Sequence, residues 1–382
     1  MNKTESPPQN LPICRQYDLF TTFFGTDETQ FSNTIELWDA IPKYAVSARS
    51  QNELRSKDGR LLPHKQPFVY ATRIGGQRVE RTCRIEIQPV FIENAVVDKQ
   101  TGKTRGVDFY PSVDEELVEE VIRKIFADQR CGLHDPGQPS SWVRFSLKQI
   151  ARELKKQRRS RSTIEIRQSL EILKKCHIAL YIENNKDPIY SGPILSEVLV
   201  APNEQLLDDS SLTWIVRLPS LVSESVNAIS YRQFNYGLLM TMKSQLARWL
   251  HKRLSHNYTN ASRIDPYMIL LSTIERDSGL LSFTRTVKTK SRTTGIETIR
   301  TSPYTVRKIK TLETAFEELA KHSVILETNG WERVKEHRKG KQVTDILYSL
   351  RAHPRFVTEV KAANARQTQA KNSPELVLLP GQ

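Results

Sequence analysis

Two dense groups of lysine and arginine are the residues best suited to chemistry in this sequence, and that chemistry is the neutralisation of phosphate. The first group is Arg152, Lys155, Lys156, Arg158, Arg159, Arg161 and Arg167, interrupted by Glu153 and Glu165. The second is Arg285, Lys288, Lys290, Arg292, Arg300, Arg307, Lys308 and Lys310, against Glu297 alone. A smaller third group is Arg333, Lys335, Arg338, Lys339 and Lys341. Each phosphate neutralised releases condensed counterions, so such groups draw a chain toward a polyanion. The whole chain agrees, with 57 Lys plus Arg against 43 Asp plus Glu and a formal charge of +14 over 382 residues. An anionic membrane surface is the rival partner. The charge, however, falls in helix-turn and hairpin segments, not on a long amphipathic helix with an aromatic face. A charge run alone is more often a solvated face. Here its position between amphipathic helices, ahead of a hairpin, favours DNA.

Catalytic patterns are weaker. Gly102-Lys103-Thr104 looks like the end of a phosphate loop, but Asp98 stands where the loop needs glycine, and the segment reads as a hairpin. Arg248, His251 and Arg253 with a distant Tyr make a recombinase-like set, yet the two arginines fit an exposed helix face. His251 and His256 lie five apart, the wrong spacing for one helical face. The cysteines Cys14, Cys83, Cys131 and Cys176 are scattered, which fits reduced thiols and no zinc cluster. The expectation is a protein that is not an enzyme, with no cofactor and no metal. No run of 18 apolar residues is present to span a membrane. MNKTESPPQN lacks the apolar core of a secretory signal, so a cytoplasmic location is expected.

The elements that must hold the basic groups follow from periodicity. Residues 1–40 are polar and proline-containing and read as a flexible arm; residues 41–112 are strand-rich. There FVYATRI and RTCRIEI flank Gly75-Gly76, and FIENAVV and GVDFY flank residues 98–102, two hairpin signals. Residues 113–218 then change period. Leu117, Val121, Ile125 and Phe126 form one stripe, and Leu147, Ile150, Ala151 and Leu154 a second. Ile166, Leu170 and Leu173 form a third, behind a capping box of Ser162 and Glu165. Extended segments follow. Residues 219–355 repeat that order. A long helix carries Leu239, Met242, Leu246, Trp249 and Leu250, and a second begins at Asp265-Pro266 and stops at Gly279. After a basic loop, a third helix carries the stripe Val306, Ile309, Leu312, Phe316 and Leu319. Residues 356–382 read as a polar tail. The fold class expected is α+β, with tandem winged-helix domains at 113–218 and 219–355 behind the strand-rich region.

In such a module the recognition helix enters the major groove by its N-terminal end. Ser162, Thr163, Arg167 and Gln168 are then placed to read base edges, with Lys155, Lys156, Arg158 and Arg159 on phosphates and Arg161 beside them. In the second module Ser302, Tyr304, Thr305, Arg307, Lys308 and Lys310 avoid the apolar stripe. Lys290 and Arg292 belong to a loop expected to order on DNA. Arg338, Lys339 and Lys341 form a basic wing tip suited to a minor-groove or backbone contact.

The arm contains Gln16-Tyr17-Asp18-Leu19-Phe20, which resembles the short peptide by which bacterial proteins dock on the replicative sliding clamp. Gln16 would bond at the rim of a groove while Leu19 and Phe20 fill its apolar pocket. The other reading is that Leu19, Phe20, Phe23 and Phe24 cover the body of the protein. Together with the tandem modules and LARWLHKRLSH (246–256), this arm resembles the winged-helix replication initiators of iteron-bearing bacterial plasmids, the TrfA and RepA type. The resemblance covers residues 113–353 by architecture, plus the arm; the strand-rich region has no matched counterpart. It implies binding to double-stranded DNA repeats at a plasmid origin, opening of an AT-rich segment and recruitment of host helicase and polymerase machinery. It also implies dimers that repress their own gene. Arg161, Ser162, Thr163 and Arg167 would read one part of the repeat, and Ser302, Tyr304, Thr305 and Lys308 another. A plain transcriptional repressor using the same helices is the alternative.

Overall fold

The computed structural model describes residues 31–372, apart from 75–76, 98–101, 128–130, 136, 202–211, 291–296, 304 and 341. It opens with β1 (Phe31–Ile35), α1 (Glu36–Ala40) and α2 (Ala48–Leu54). The strands β2 (His64–Ile74), β3 (Gln77–Ile87), β4 (Val90–Val97) and β5 (Thr104–Phe109) follow. Next come α3 (Val113–Phe126), β6 (Gly132–Asp135), β7 (Ser140–Ser146), α4 (Leu147–Lys156) and α5 (Thr163–Lys175). The strands β8 (His177–Ile182), β9 (Tyr190–Pro193), β10 (Glu197–Ala201) and β11 (Thr213–Arg217) complete the first half. A connection of α6 (Ser220–Asn227), β12 (Tyr231–Asn235) and α7 (Tyr236–Thr241) leads to α8 (Gln245–Asn257), β13 (Tyr267–Leu270) and α9 (Leu271–Ser278). The second half continues through β14 (Thr284–Lys290), β15 (Glu297–Pro303) and α10 (Thr305–Lys321). It closes with β16 (Trp331–Lys339), β17 (Gln342–Leu350) and α11 (Pro354–Asn372).

The two halves share an order and a sheet arrangement. In each, a helix (α3, α8) precedes a strand (β7, β13) that runs directly into a second helix (α4, α9), and a third helix (α5, α10) precedes two antiparallel strands. In each sheet the last strand lies between its two counterparts, as β7–β11–β10 and β13–β17–β16, and the first sheet carries β6 as a fourth strand beyond β7. The insertions differ. The first half adds β8 and β9 after its third helix; the second adds the β14–β15 hairpin before it.

Local signals explain the helices. Ser162 and Glu165 close a capping box on α5: the Ser162 N–H donates to the Glu165 carboxylate at 2.7 Å, and the Glu165 N–H donates to Ser162 Oγ at 3.2 Å. The stripe behind it, Ile166, Leu170 and Leu173, is buried. Ser162→Ala is expected to cost about 1 kcal/mol, the loss of one cap. It would be read as a lower urea midpoint at unchanged m-value; an unmoved midpoint would show that the cap adds nothing. The β2–β3 and β4–β5 hairpins also form where the sequence places them.

Tertiary pairing overrides the sequence elsewhere. The expected loop over 284–303 is a hairpin in register from Thr284↔Pro303 to Lys290↔Glu297. Its Thr, Val and Ile content favours extended backbone once a partner strand exists. Tyr267–Leu270 pairs with β17, so the helix expected from Pro266 begins at Leu271 and ends, as expected, at the left-handed Gly279 (φ 67°). The single long helix is broken at 242–244, where Ser244 caps α8. Residues 31–40, expected in the flexible arm, are part of the folded body: β1 pairs with β12 and Trp38 is wholly buried. Residues 356–372, expected in a polar tail, belong to α11, which buries Phe356, Val357, Val360 and Ala363.

Two cores result. One gathers residues from Ile35 to Met240 and the other from Met242 to Val360. No break in the first core falls at 112/113, since β3 pairs with β8 and draws the front strands into the first half's framework. Among the described residues no helix is long and apolar enough to cross a membrane.

Candidate nucleic-acid interface

The α4–α5 unit presents part of its expected basic group to solvent. Arg152, Lys155, Lys156, Arg158 and Arg167 are exposed, with Lys156 near Glu153 at 3.4 Å. Arg158 sits in the turn with a left-handed backbone (φ 58°), which ends α4 and swings the chain into α5. The fold withdraws two expected members. Arg159 donates to the backbone carbonyls of Met240, at 3.2 Å, and Met242, so it grips the passage between the cores. Arg161 is half-buried against Asp114 at the start of α3, with Nε 3.1 Å from Oδ1. Both arginines fix the frame that carries α5. Thr163 and Gln168 are half-buried and Ser162 is exposed. The capping bonds from Ser162 hold the Glu165 carboxyl below its usual pKa, keeping one anion at the tip of the helix beside Arg161 and Arg167.

The α10 unit repeats this with different residues. Arg307 and Lys310 are exposed, and the Arg307 guanidinium lies over the Phe283 ring, 4.3 Å from its centroid. Lys308 does not join them. It is only 7% exposed, and its ammonium pairs with Glu275 of α9, because its place in the helix turns it under the helix toward α9. Thr305 is the first residue of α10 and half-buried, and Ser302 lies in β15, not in the helix. Lys290 ends β14. Tyr304, Arg292 and Lys341 lie outside the described residues, as do Gln16, Leu19 and Phe20. On the β16–β17 hairpin Lys335, Arg338 and Lys339 are exposed, though Arg338 bonds Glu336 with Nε at 3.1 Å. Arg333 is held by Glu313 of α10 at 2.7 Å, which fastens the hairpin to the third helix.

Two aliphatic residues that the sequence does not place at the interface occupy the tips of these helices. Ile164 is 78% exposed, and Val306, expected on the buried stripe, is 71% exposed. The stripe fails at Val306 because the first turn of α10 projects beyond the second core, which receives the helix only from Lys308 and Leu312 onward.

The recombinase-like set is internal. Arg248 is wholly buried and paired with Glu116 at 2.8 Å, where an exposed face was expected. Arg253 pairs with Asp277 at 3.0 Å. His251 is packed between Phe234 and Phe356. Among the described residues, no three His, Cys, Asp or Glu side chains are grouped to hold a metal.

No family model and no curated relative matches the sequence. Similar solved structures include domains 2 and 3 of RctB, at TM-score 0.41 and 12% identity over 82% of this chain and 99% of that one. The Pi initiator protein in complex with iteron DNA is similar at TM-score 0.38 and 11% identity, over 63% of this chain and 91% of that one. A second structure of RctB domains 2–3 has TM-score 0.34 and 10% identity, over 79% and 94%. At these scores the likeness assigns nothing, and the functional reading rests on the chain's own residues.

Proposed function

We propose that the chain is a sequence-specific double-stranded-DNA-binding replication initiator without catalytic chemistry of its own. In this reading each half is a winged helix: α5 and α10 are the recognition helices, and the β10–β11 and β16–β17 hairpins are the wings. One observation supports it above the rest. The same element order occurs twice in one chain, each time with a third helix whose exposed start has cations close to it in sequence, followed by an antiparallel strand pair. Two readers on one body suit a long site of repeats. Lys155, Lys156, Arg158 and Arg338 then grip phosphates, while Arg167, Gln168, Arg307 and Lys310 face base edges. The resemblance to initiators of iteron plasmids extends the proposal to origin opening, a helicase contact, dimers that autorepress and a clamp contact through Gln16, Leu19 and Phe20.

The test is footprinting on duplexes carrying direct repeats of about two helical turns. The expected result is protection of repeats over scrambled DNA; equal binding to both would overturn the proposal. Lys155→Gln with Arg158→Gln should reduce the slope of log K against log salt by about 2, one unit for each lost phosphate contact. Leu19→Ala with Phe20→Ala separates initiator from repressor: loss of plasmid replication with DNA binding intact supports the first, and unchanged replication supports the second.

A further inference from the structure

Exposed large aliphatics are ordinary when scattered over a surface. Those at α5 and α10 are not scattered. Among the described helices only Leu54, Ile164 and Val306 are exposed large hydrophobics, and the last two are each the second residue of a third helix. The match extends along both helices. Two residues on stand Ile166 and Lys308, six on Leu170 and Leu312, and nine on Leu173 and Ala315, all buried. Thr163 and Thr305 precede them in the same half-buried position. The folded chain therefore carries one β-branched aliphatic at one equivalent place in both halves. Neither packs into a core, and a β-branched residue gains nothing there in helix propensity.

Their surroundings name the occupant. Ile164 stands three residues after Arg161 and three before Arg167, with the exposed Glu165 next to it; Val306 stands one residue before Arg307 and four before Lys310. A single stiff aliphatic with exposed cations close by on its own helix suits neither a protein core partner nor a lipid surface, each of which needs a wider apolar face. It suits a polyanion with an isolated apolar knob. In the major groove of DNA that knob is the 5-methyl group of thymine.

We infer that Ile164 and Val306 are specificity-determining residues, each packing against the 5-methyl group of a thymine in its own half of the recognised site. This rests on the reading of α5 and α10 as groove-entering helices, and the experiment separates the two ideas. The full chain is used to select its preferred duplex from random DNA. Each thymine of that duplex is then replaced singly by deoxyuridine, which removes only the methyl. The expected result is one position in each half where binding weakens about fourfold, the burial of one methyl group. Ile164→Ala should abolish the effect in one half alone and Val306→Ala in the other, with melting temperature and salt slope unchanged. If every deoxyuridine duplex binds within twofold of the parent, or the alanine variants keep the methyl effect, the inference is wrong while the DNA-binding proposal stands. If selection enriches no sequence, both fall.

Discussion

Arg248→Met should destabilise the protein by about 3–5 kcal/mol, the cost of leaving a buried charge without its partner. Arg248 lies on α8, with Nη2 and Nε 2.8 and 3.3 Å from the Glu116 carboxylate of α3 and Nη1 on the carbonyls of Met242 and Lys243. It is one member of a buried network between the first helices of the two halves. Lys252 of α8 reaches Asp39 at 3.0 Å and also Glu120. Arg123 holds Asp39 through two bonds of 2.7 and 2.8 Å. Lys43 lies 3.6 Å from Glu119, which also accepts from Trp38 and Tyr44 at 2.5 Å each. Burial alone would raise the Asp39 carboxyl, but Arg123 and Lys252 beside it hold it well below the usual range. Burial pushes Glu120 up instead.

The network joins two separate apolar cores, so its loss should do more than lower a midpoint. Arg248→Met is expected to split urea unfolding into two transitions, one for each core. Adding Glu116→Leu should recover most of the loss, because the orphaned carboxylate is then gone. A single variant that unfolds in one step within 1 kcal/mol of the parent would show that the pair does not couple the halves. DNA binding gives a second readout: with the halves uncoupled, preference for a fixed spacing between half-sites should weaken while each half still binds.

Acidification is the other large effect. His251 and His256 bury both ring nitrogens with no hydrogen-bond partner among the described residues. Burial lowers His251 to about 3, with Lys252 and His322 adding to the shift. Burial likewise lowers His256 to about 4, opposed by Asp39 and assisted by Arg232 and Arg123. Both are therefore neutral in the folded chain and take up protons near pH 6.5 when it unfolds. Unfolding binds more protons than folding, so their contribution to stability is complete above pH 6.5 and is lost as pH falls through 6.5 toward 3 or 4. Each proton changes the slope by about 1.4 kcal/mol per pH unit within that window. Glu115 and Glu120, whose pKa values are raised, act in the opposite sense, so the clean measurement is a difference. His251→Leu should leave stability at pH 7 equal or improved, since a buried unsatisfied polar ring is removed. It should also flatten the acid limb by one proton between pH 6 and 4. An acid limb identical to the parent would show that His251 is not the group that titrates.

What could be read without coordinates was local. The Ser162–Glu165 cap, the stripe Ile166–Leu170–Leu173 and the β2–β3 and β4–β5 hairpins each depend on residues a few positions apart, and each formed. Net charge was equally legible, because it is a sum that folding does not alter. Whether a given cation faces solvent or an acid was not legible. Arg248 suited an exposed face by spacing, and so did Lys308; each is buried because a carboxylate distant in sequence, Glu116 or Glu275, meets it there. Arg161 and Arg159 were drawn into the frame in the same way. Strand pairing follows that logic: Thr284–Lys290, expected in a basic loop, becomes a strand only beside Glu297–Pro303.

The two basic clusters are therefore smaller and sharper on the folded surface than their charge suggested. Sequence alone determined that two clusters of positive charge occur in tandem, each running into the start of an amphipathic helix, since periodicity, capping and charge are properties of neighbouring residues. Only the tertiary structure decided which of those charges remain outside. It also revealed Ile164 and Val306 at the tips, because burial depends on where a helix end stands relative to a core built from the rest of the chain.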